Sequence, residues 1–361
     1  MRKSYLDNIR WGTQIVVVLY HVIFLYNSVG IMGGVRITDL DRQPWDIFLY
    51  IVHPWMMPIL FIVSGICSRY YLERHTDKEF IKSRTTKLLV PSTIGLFAFQ
   101  FIQGYVSMSL SGAFDSMPKM PGFIQYIIMA VSGQGVLWYM QELWILSLLL
   151  VLVRKIERDR LWEAGRKAGL PVLHVLTAVV WGTAQILNMP VIVVYRFGIY
   201  TALFFIGYFV FSHDEVTEVL KKYFVLFISL AAVSCTAFCI MYFGQNYADA
   251  PVYRSILFTV YAWTGCLAIL GGCAKYADFE TSFTKWMSAH SFGLYVFHYL
   301  FISGTALLLG RPRLLPAPFI YLISAVTGFA GAYLLAAVIS RIPFFRWAVL
   351  GIKKEKKNVQ G

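Results

Sequence analysis

Apolar residues fall along this chain in blocks of about twenty, separated by short polar segments that carry most of the charge. A membrane-spanning helix needs about twenty predominantly apolar residues, and ten blocks of that kind can be drawn. They cover residues 11–31, 45–68, 88–110, 136–153, 170–187, 191–211, 223–243, 252–273, 290–309 and 317–339. Residues 121–132 are apolar but too short to cross, and are expected as a helix lying at the membrane surface. The pattern predicts an all-α polytopic membrane protein with about ten transmembrane helices. Residues 1–340 form its membrane domain on this reading, and residues 341–361 a basic cytoplasmic tail.

Composition sharpens this. Of 361 residues, 58% are hydrophobic and only 14% charged, where a soluble domain is nearer a quarter charged. Arg2 and Lys3 before an apolar run look like the start of a signal peptide. The run is too long for one, contains His21 and is followed by no clear small-x-small site, so it is expected to stay as the first span. The net charge of +13 would suggest nucleic acid as a partner of a soluble protein. Here 25 of the 32 Lys and Arg residues fall in alternate loops, which places both termini in the cytoplasm and leaves no case for nucleic acid. The tail run Lys353–Lys357 reads as the same positive flank, with an anionic-lipid anchor as its alternative. The five cysteines sit singly in apolar blocks and read as small packing residues, and no metal site is expected.

Polar side chains inside apolar blocks are the candidates for chemistry, because they are costly there and face a bundle interior or a wet cavity. Ten residues separate Arg10 from His21. Eleven steps of about 100° come to roughly 20° past three turns, so the two share one stripe of a helix, about 16 Å apart. His53, Glu142, Arg196 and Arg254 all fall in the outer third of their blocks, which predicts one outward-facing cavity where cations and carboxylate offset each other. His298 lies within the ninth block. Trp138 and Tyr139 suit stacking on a sugar, or the aromatic belt of a membrane protein. At the entry to the third block, Arg84 and Lys87 stand three residues apart and are expected on one helical face, where two cations suit a phosphorylated ligand.

The order of features is similar to the acyltransferase-3 family of integral membrane O-acyltransferases. The stretches LDNIRW, VVVLYH, PWMMPILFIVSG, FIKSRTTKLLVP, LWYMQELW and FGLYVFH carry the resemblance, which runs from Leu6 to about Ile339. It implies a multi-pass protein of a bacterial cell membrane, with an acyl-CoA donor, most often acetyl-CoA, on the cytoplasmic side. The acceptor it implies is a hydroxyl of an extracytoplasmic glycan or related cell-envelope molecule, and no cofactor is expected to be permanently bound. Arg10 and His21 match the family's Arg/Lys-x10-His pattern, and Arg84 and Lys87 its R-x-x-R pair for acyl-CoA, although Lys87 lacks the bidentate fork of arginine. On this reading His21 is the catalytic base, assisted by Arg10 and Glu142. Arg84, Lys87 and Arg10 bind the CoA phosphates, and His53, Trp138 and Arg196 bind the acceptor. A transporter or flippase of an anionic substrate is the rival reading. The lack of inverted repeats and the Arg10–His21 spacing stand against it.

Overall fold

The computed structural model describes residues 3–30, 34–189 and 194–353. Ile31, the start of the sixth expected span at Val191–Val193 and Lys354–Lys357 of the basic run lie outside them. The described chain is helical: α1 (Ser4–Leu25), α2 (Ile47–Leu72), α3 (Asp77–Ser111), α4 (Gly122–Ser132), α5 (Gly135–Glu157), α6 (Leu170–Ala184), α7 (Phe197–Phe209), α8 (Asp214–Lys222), α9 (Phe224–Tyr242), α10 (Ile256–Tyr276), α11 (Ser282–Gly310), α12 (Ala317–Arg341) and α13 (Pro343–Leu350). Eight of these, α1, α2, α3, α5 and α9–α12, are long and apolar enough to cross a membrane. The protein is an all-α polytopic membrane protein. Helices α6 and α7 fall in the fifth and sixth expected blocks but have only 15 and 13 residues. At 1.5 Å per residue they reach about 20 Å, less than a hydrocarbon core of about 30 Å. The short apolar block at 121–132 forms α4.

The chain divides into two compact units. Unit 1 comprises Met1–Phe80 and Ile145–Ser291, and unit 2 comprises Ile81–Trp144 and Phe292–Gly361.

In unit 1, glycine lets α2 and α7 touch backbone to backbone. A Cβ at Gly65 would lie 2.0 Å from the Phe204 carbonyl oxygen, and one at Gly207 would lie 2.2 Å from that of Ile62. Membrane helices have little hydrophobic drive between them, so close backbone approach is a main source of their association. Beside this crossing Phe61 and Tyr200 stack at 4.3 Å. The start of α1 is fixed by polar contacts to a distant segment. Asn8 Nδ2 donates to the carbonyls of Ala277 (2.7 Å) and Phe279 (2.9 Å), and Trp11 Nε1 donates to Asn8 Oδ1 at 2.9 Å. Lys3 donates to Asp214 at the head of α8, a hydrogen bond that holds this carboxyl below the usual carboxylate range. Where α2 ends, Arg69 bonds Asp159 at 2.6 Å and stacks on Trp162 at 3.8 Å. Asp159 takes a left-handed backbone (φ 61°), which aspartate adopts more readily than most non-glycine residues.

In unit 2, α3 and α4 make a second glycine contact. A Cβ at Gly104 would lie 1.7 Å from the Met129 carbonyl oxygen, and one at Gly133 would lie 1.9 Å from that of Gln100. Gln141 Nε2, in α5, donates to the Ser92 carbonyl at 2.7 Å, and Gln103 Nε2 donates to Ser303 Oγ at 3.1 Å. Four wide π-helical turns interrupt its helices, at Thr85–Leu89, Leu96–Gln100, Ala306–Gly310 and Thr327–Gly331. Pro343–Leu350 is the helix α13, its Ala348, Val349 and Leu350 are buried, and a Cβ at Gly351 would lie 2.5 Å from the Thr86 carbonyl oxygen.

Candidate functional site

Helix α1 is unbroken from Ser4 to Leu25, so Arg10 and His21 stand on one continuous α-helix, as their spacing requires. Arg10 is exposed, with its nearest carboxylate at Asp7, 3.8 Å away. His21 is half-buried among Val17, Val18, Val22 and Leu25, all buried. Its Nδ1 lies 2.8 Å from the Val17 carbonyl oxygen one turn back. A carbonyl only accepts, so Nδ1 carries a proton and donates the hydrogen bond to Val17.

Next to His21 on α1, Tyr20 opens a buried polar cluster. Its hydroxyl lies 3.1 Å from Nδ1 of His53 and 2.8 Å from the hydroxyl of Tyr247, and its ring meets that of His21 edge-on at 5.3 Å. The rings of His53 and Tyr247 are 4.4 Å apart. Pro54 follows His53 in α2 and supplies no N–H, which loosens the helix at that turn. Arg196 closes the cluster. Its guanidinium lies 4.0 Å from the ring of Tyr253 and 5.8 Å from that of Phe258, and Phe258 in turn lies 6.0 Å from His53. The expected grouping of His53 and Arg196 is thus present within unit 1. Arg196 is not inside a helix, however. It caps α7 in a non-helical conformation (φ −118°, ψ 67°) and forms an isolated antiparallel bridge with Asn188. Arg254 is an exposed residue at the end of a short helical turn, Ala250–Tyr253; its guanidinium lies 5.7 Å from the Tyr253 ring that Arg196 also faces, and its carbonyl accepts from Trp181 and Gln185.

Unit 2 holds the other candidates. Glu142 is fully buried in α5, and neither carboxyl oxygen has a hydrogen-bond partner among the described residues. An isolated carboxyl in an apolar interior is costly. Trp138 and Tyr139 are half-buried and meet edge-on at 6.3 Å. His298 is fully buried and its Nδ1 bonds the carbonyls of Leu294 and Tyr295, the ordinary arrangement for a histidine within a helix. Arg84 ends the first α-helical stretch of α3, and a π-turn closed by Val90 N–H to the Thr85 carbonyl follows at once. The regular spacing that would put Lys87 on the same face as Arg84 is therefore interrupted. Trp144 Nε1 braces the wide turn by donating to Thr85 Oγ1 at 3.1 Å.

Sequence reasoning missed Tyr20 and Tyr247. For Tyr20 the available signal was a tyrosine deep in an apolar block, whose hydroxyl must find a partner when buried. No group of three or more His, Cys, Asp or Glu able to hold a metal ion occurs among the described residues.

Comparison with known proteins adds a family. Residues 3–337 match the family described as Acyltransferase domain. Glucans biosynthesis protein C of Escherichia coli O6:K15:H31 (strain 536 / UPEC) is 21% identical over 222 residues, which are 58% of this chain and 57% of that protein. The same protein of Escherichia coli (strain K12) gives the same figures. The match thus spans little more than half the length of these relatives. No solved structure matches the chain.

Proposed function

The chain belongs to this acyltransferase family, and from that footing we propose that it moves an acyl group, acetyl above all, from acyl-CoA to a hydroxyl of a cell-envelope glycan. The donor is taken from the cytoplasm and the acceptor from the other side of a bacterial inner membrane. The reading rests chiefly on the geometry of α1, which carries a cation and a histidine held by its Nδ1 hydrogen bond on one unbroken helix. The names of the relatives, which speak of glucan biosynthesis, support a glycan as acceptor.

The residues take the following roles. Nε2 of His21 removes the proton from the acceptor hydroxyl as its oxygen attacks the thioester carbonyl. The carbon–sulfur bond breaks, the CoA thiolate leaves and takes the proton from the imidazolium, and neutral His21 is restored. Imidazole suits the task because its ordinary pKa lies near neutrality. In unit 1 Arg10 is the cation assigned to the CoA phosphates, and in unit 2 the family pattern assigns Arg84 and Lys87 to them. The roughly 16 Å along α1 from Arg10 to His21 is a distance that an extended pantetheine arm bridges. His53 and Arg196 bind the acceptor, together with the hydroxyls of Tyr20 and Tyr247.

The test is release of free CoA by purified protein given acetyl-CoA and glucan oligosaccharides. Release that depends on the acceptor supports acyl transfer, whereas transport without release supports the rival class. Arg84→Ala is expected to raise the apparent KM for the donor about tenfold, since a hydrogen bond to a charged group contributes about 1.5–3 kcal/mol. Lys87→Ala is expected to do less, because this side chain is exposed and lies within a widened turn. An unchanged donor KM in Arg84→Ala assigns the pair to membrane topology alone.

A further inference from the structure

Helices α9 and α10, with one side chain from α2, leave an open groove of 590 Å³ on unit 1. It is lined by Ile228, Ala232 and Cys235 of α9, Ala268 and Gly272 of α10 and Trp55 of α2. From Phe224 to Cys235 it follows α9 for eleven residues, about 16 Å. None of these side chains carries a charge. One end is closed by Phe224 and Tyr276, which meet edge-on at 5.6 Å. Two lysines stand at that end. Lys222 Nζ lies 5.3 Å from the ring of Tyr223, and Lys275 Nζ lies 5.2 Å from the ring of Tyr276. Both are exposed, and neither joins an ion pair among the described residues. Neighbouring carboxylates are engaged elsewhere. Glu218 pairs with Lys221 at 2.8 Å, Asp214 with Lys3, and Asp278 accepts the Tyr5 N–H at 3.0 Å. The other end reaches Trp55, two residues past His53 on α2, where Tyr261 also donates to the Ile51 carbonyl.

We propose that this groove is a binding site for one acyl chain of an anionic phospholipid, its phosphate held by Lys222 and Lys275. A groove on a membrane-embedded surface is bathed in hydrocarbon, so an apolar chain is the occupant its walls favour. Two unpaired cations at one end select for negative charge in the headgroup, and aromatic rings at that level suit the boundary between chain and headgroup. The chain tip packs on Trp55 and so supports α2 just past the Tyr20–His53–Tyr247 cluster. This inference depends on the protein spanning a membrane and not on the acyl-transfer reading.

The test is native mass spectrometry of the delipidated protein titrated with phosphatidylglycerol or phosphatidylcholine. Wild type is expected to retain one phosphatidylglycerol per chain and to release phosphatidylcholine under the same activation. Lys222→Gln and Lys275→Gln are each expected to weaken phosphatidylglycerol about fivefold, and the double variant to lose the preference between the two lipids. Ala232 is exposed to the groove, so Ala232→Phe fills it without entering the packed interior. It is expected to abolish retention of either lipid while the melting temperature stays within a few degrees of wild type. Equal retention of the two lipids by wild type overturns the headgroup assignment. Undiminished phosphatidylglycerol on Ala232→Phe overturns the groove as the site, and equal phosphatidylglycerol affinity in wild type and the double lysine variant overturns the role of the cations.

Discussion

His21→Gln is expected to lose acceptor-dependent CoA release about a hundred- to ten-thousand-fold, the usual cost of removing a general base, while its abundance in the membrane matches wild type. Glutamine reproduces the hydrogen bond to the Val17 carbonyl but cannot take up a proton near neutral pH. His21→Ala is expected to fail as badly. Neither change should harm folding. The Val17 carbonyl still accepts the helical bond from the N–H of residue 21 when the ring is truncated. The side chain is only half-buried, and a small residue is readily accommodated in a membrane helix. The measurement is CoA release by purified protein, with abundance followed in parallel by immunoblot of the membrane fraction. Full activity in His21→Gln removes the base assignment and leaves His21 as a hydrogen-bonding ligand. Full activity in His21→Ala removes the α1 stripe from the mechanism.

The second large effect concerns stability. Gly65→Val and Gly207→Val are each expected to abolish the monodisperse peak of detergent-solubilised protein in size-exclusion chromatography. At both positions the atom met by a new Cβ is a backbone carbonyl oxygen, at 2.0 and 2.2 Å, and backbone cannot swing aside as a side chain can. Helices α2 and α7 must therefore separate. Overpacking of a core already costs about 1–3 kcal/mol where side chains yield, and these sites lie beyond that range. The separation would also displace Arg196 at the head of α7 from the neighbourhood of His53 on α2. Gly182 in α6 is the control, because a Cβ there meets nothing within 4 Å. Gly182→Ala is expected to leave the peak unchanged or to raise the melting temperature slightly, as alanine commonly does inside a helix. A folded, monodisperse Gly65→Val protein would show that this crossing is not a close contact.

The spans and the first candidate residues were legible because each depends on local pattern. Block length and polarity located the helices, and helical periodicity alone linked Arg10 to His21. His53 and Arg196 were visible as polar residues in apolar surroundings, and the fold sets both around Phe258. What was hidden depends on partners far along the chain. Tyr247 lies in a loop more than two hundred residues from Tyr20, and nothing local announces that their hydroxyls meet. Asn8 reads as an ordinary polar residue near a helix start until Ala277 and Phe279 are seen to offer their carbonyls. The division of the candidates between two units was hidden as well, because depth in a span says nothing about which helices pack together.

The four π-turns of unit 2 bear on how this protein is compared with its relatives. A π-turn takes one residue more than the α-turn it replaces, and the helix on either side keeps its facing. It is therefore how a membrane helix absorbs a single-residue insertion without rotating everything beyond it by about 100°. Homologous helices with and without such a turn differ by one residue in length and still point the same side chains inward. An alignment that forbids gaps inside spans will then pair residues on different faces beyond the turn. Fixed-spacing motifs such as Arg84-x-x-Lys87, which run into one of these turns, are the first to be misread, so positions should be matched by facing and not by count.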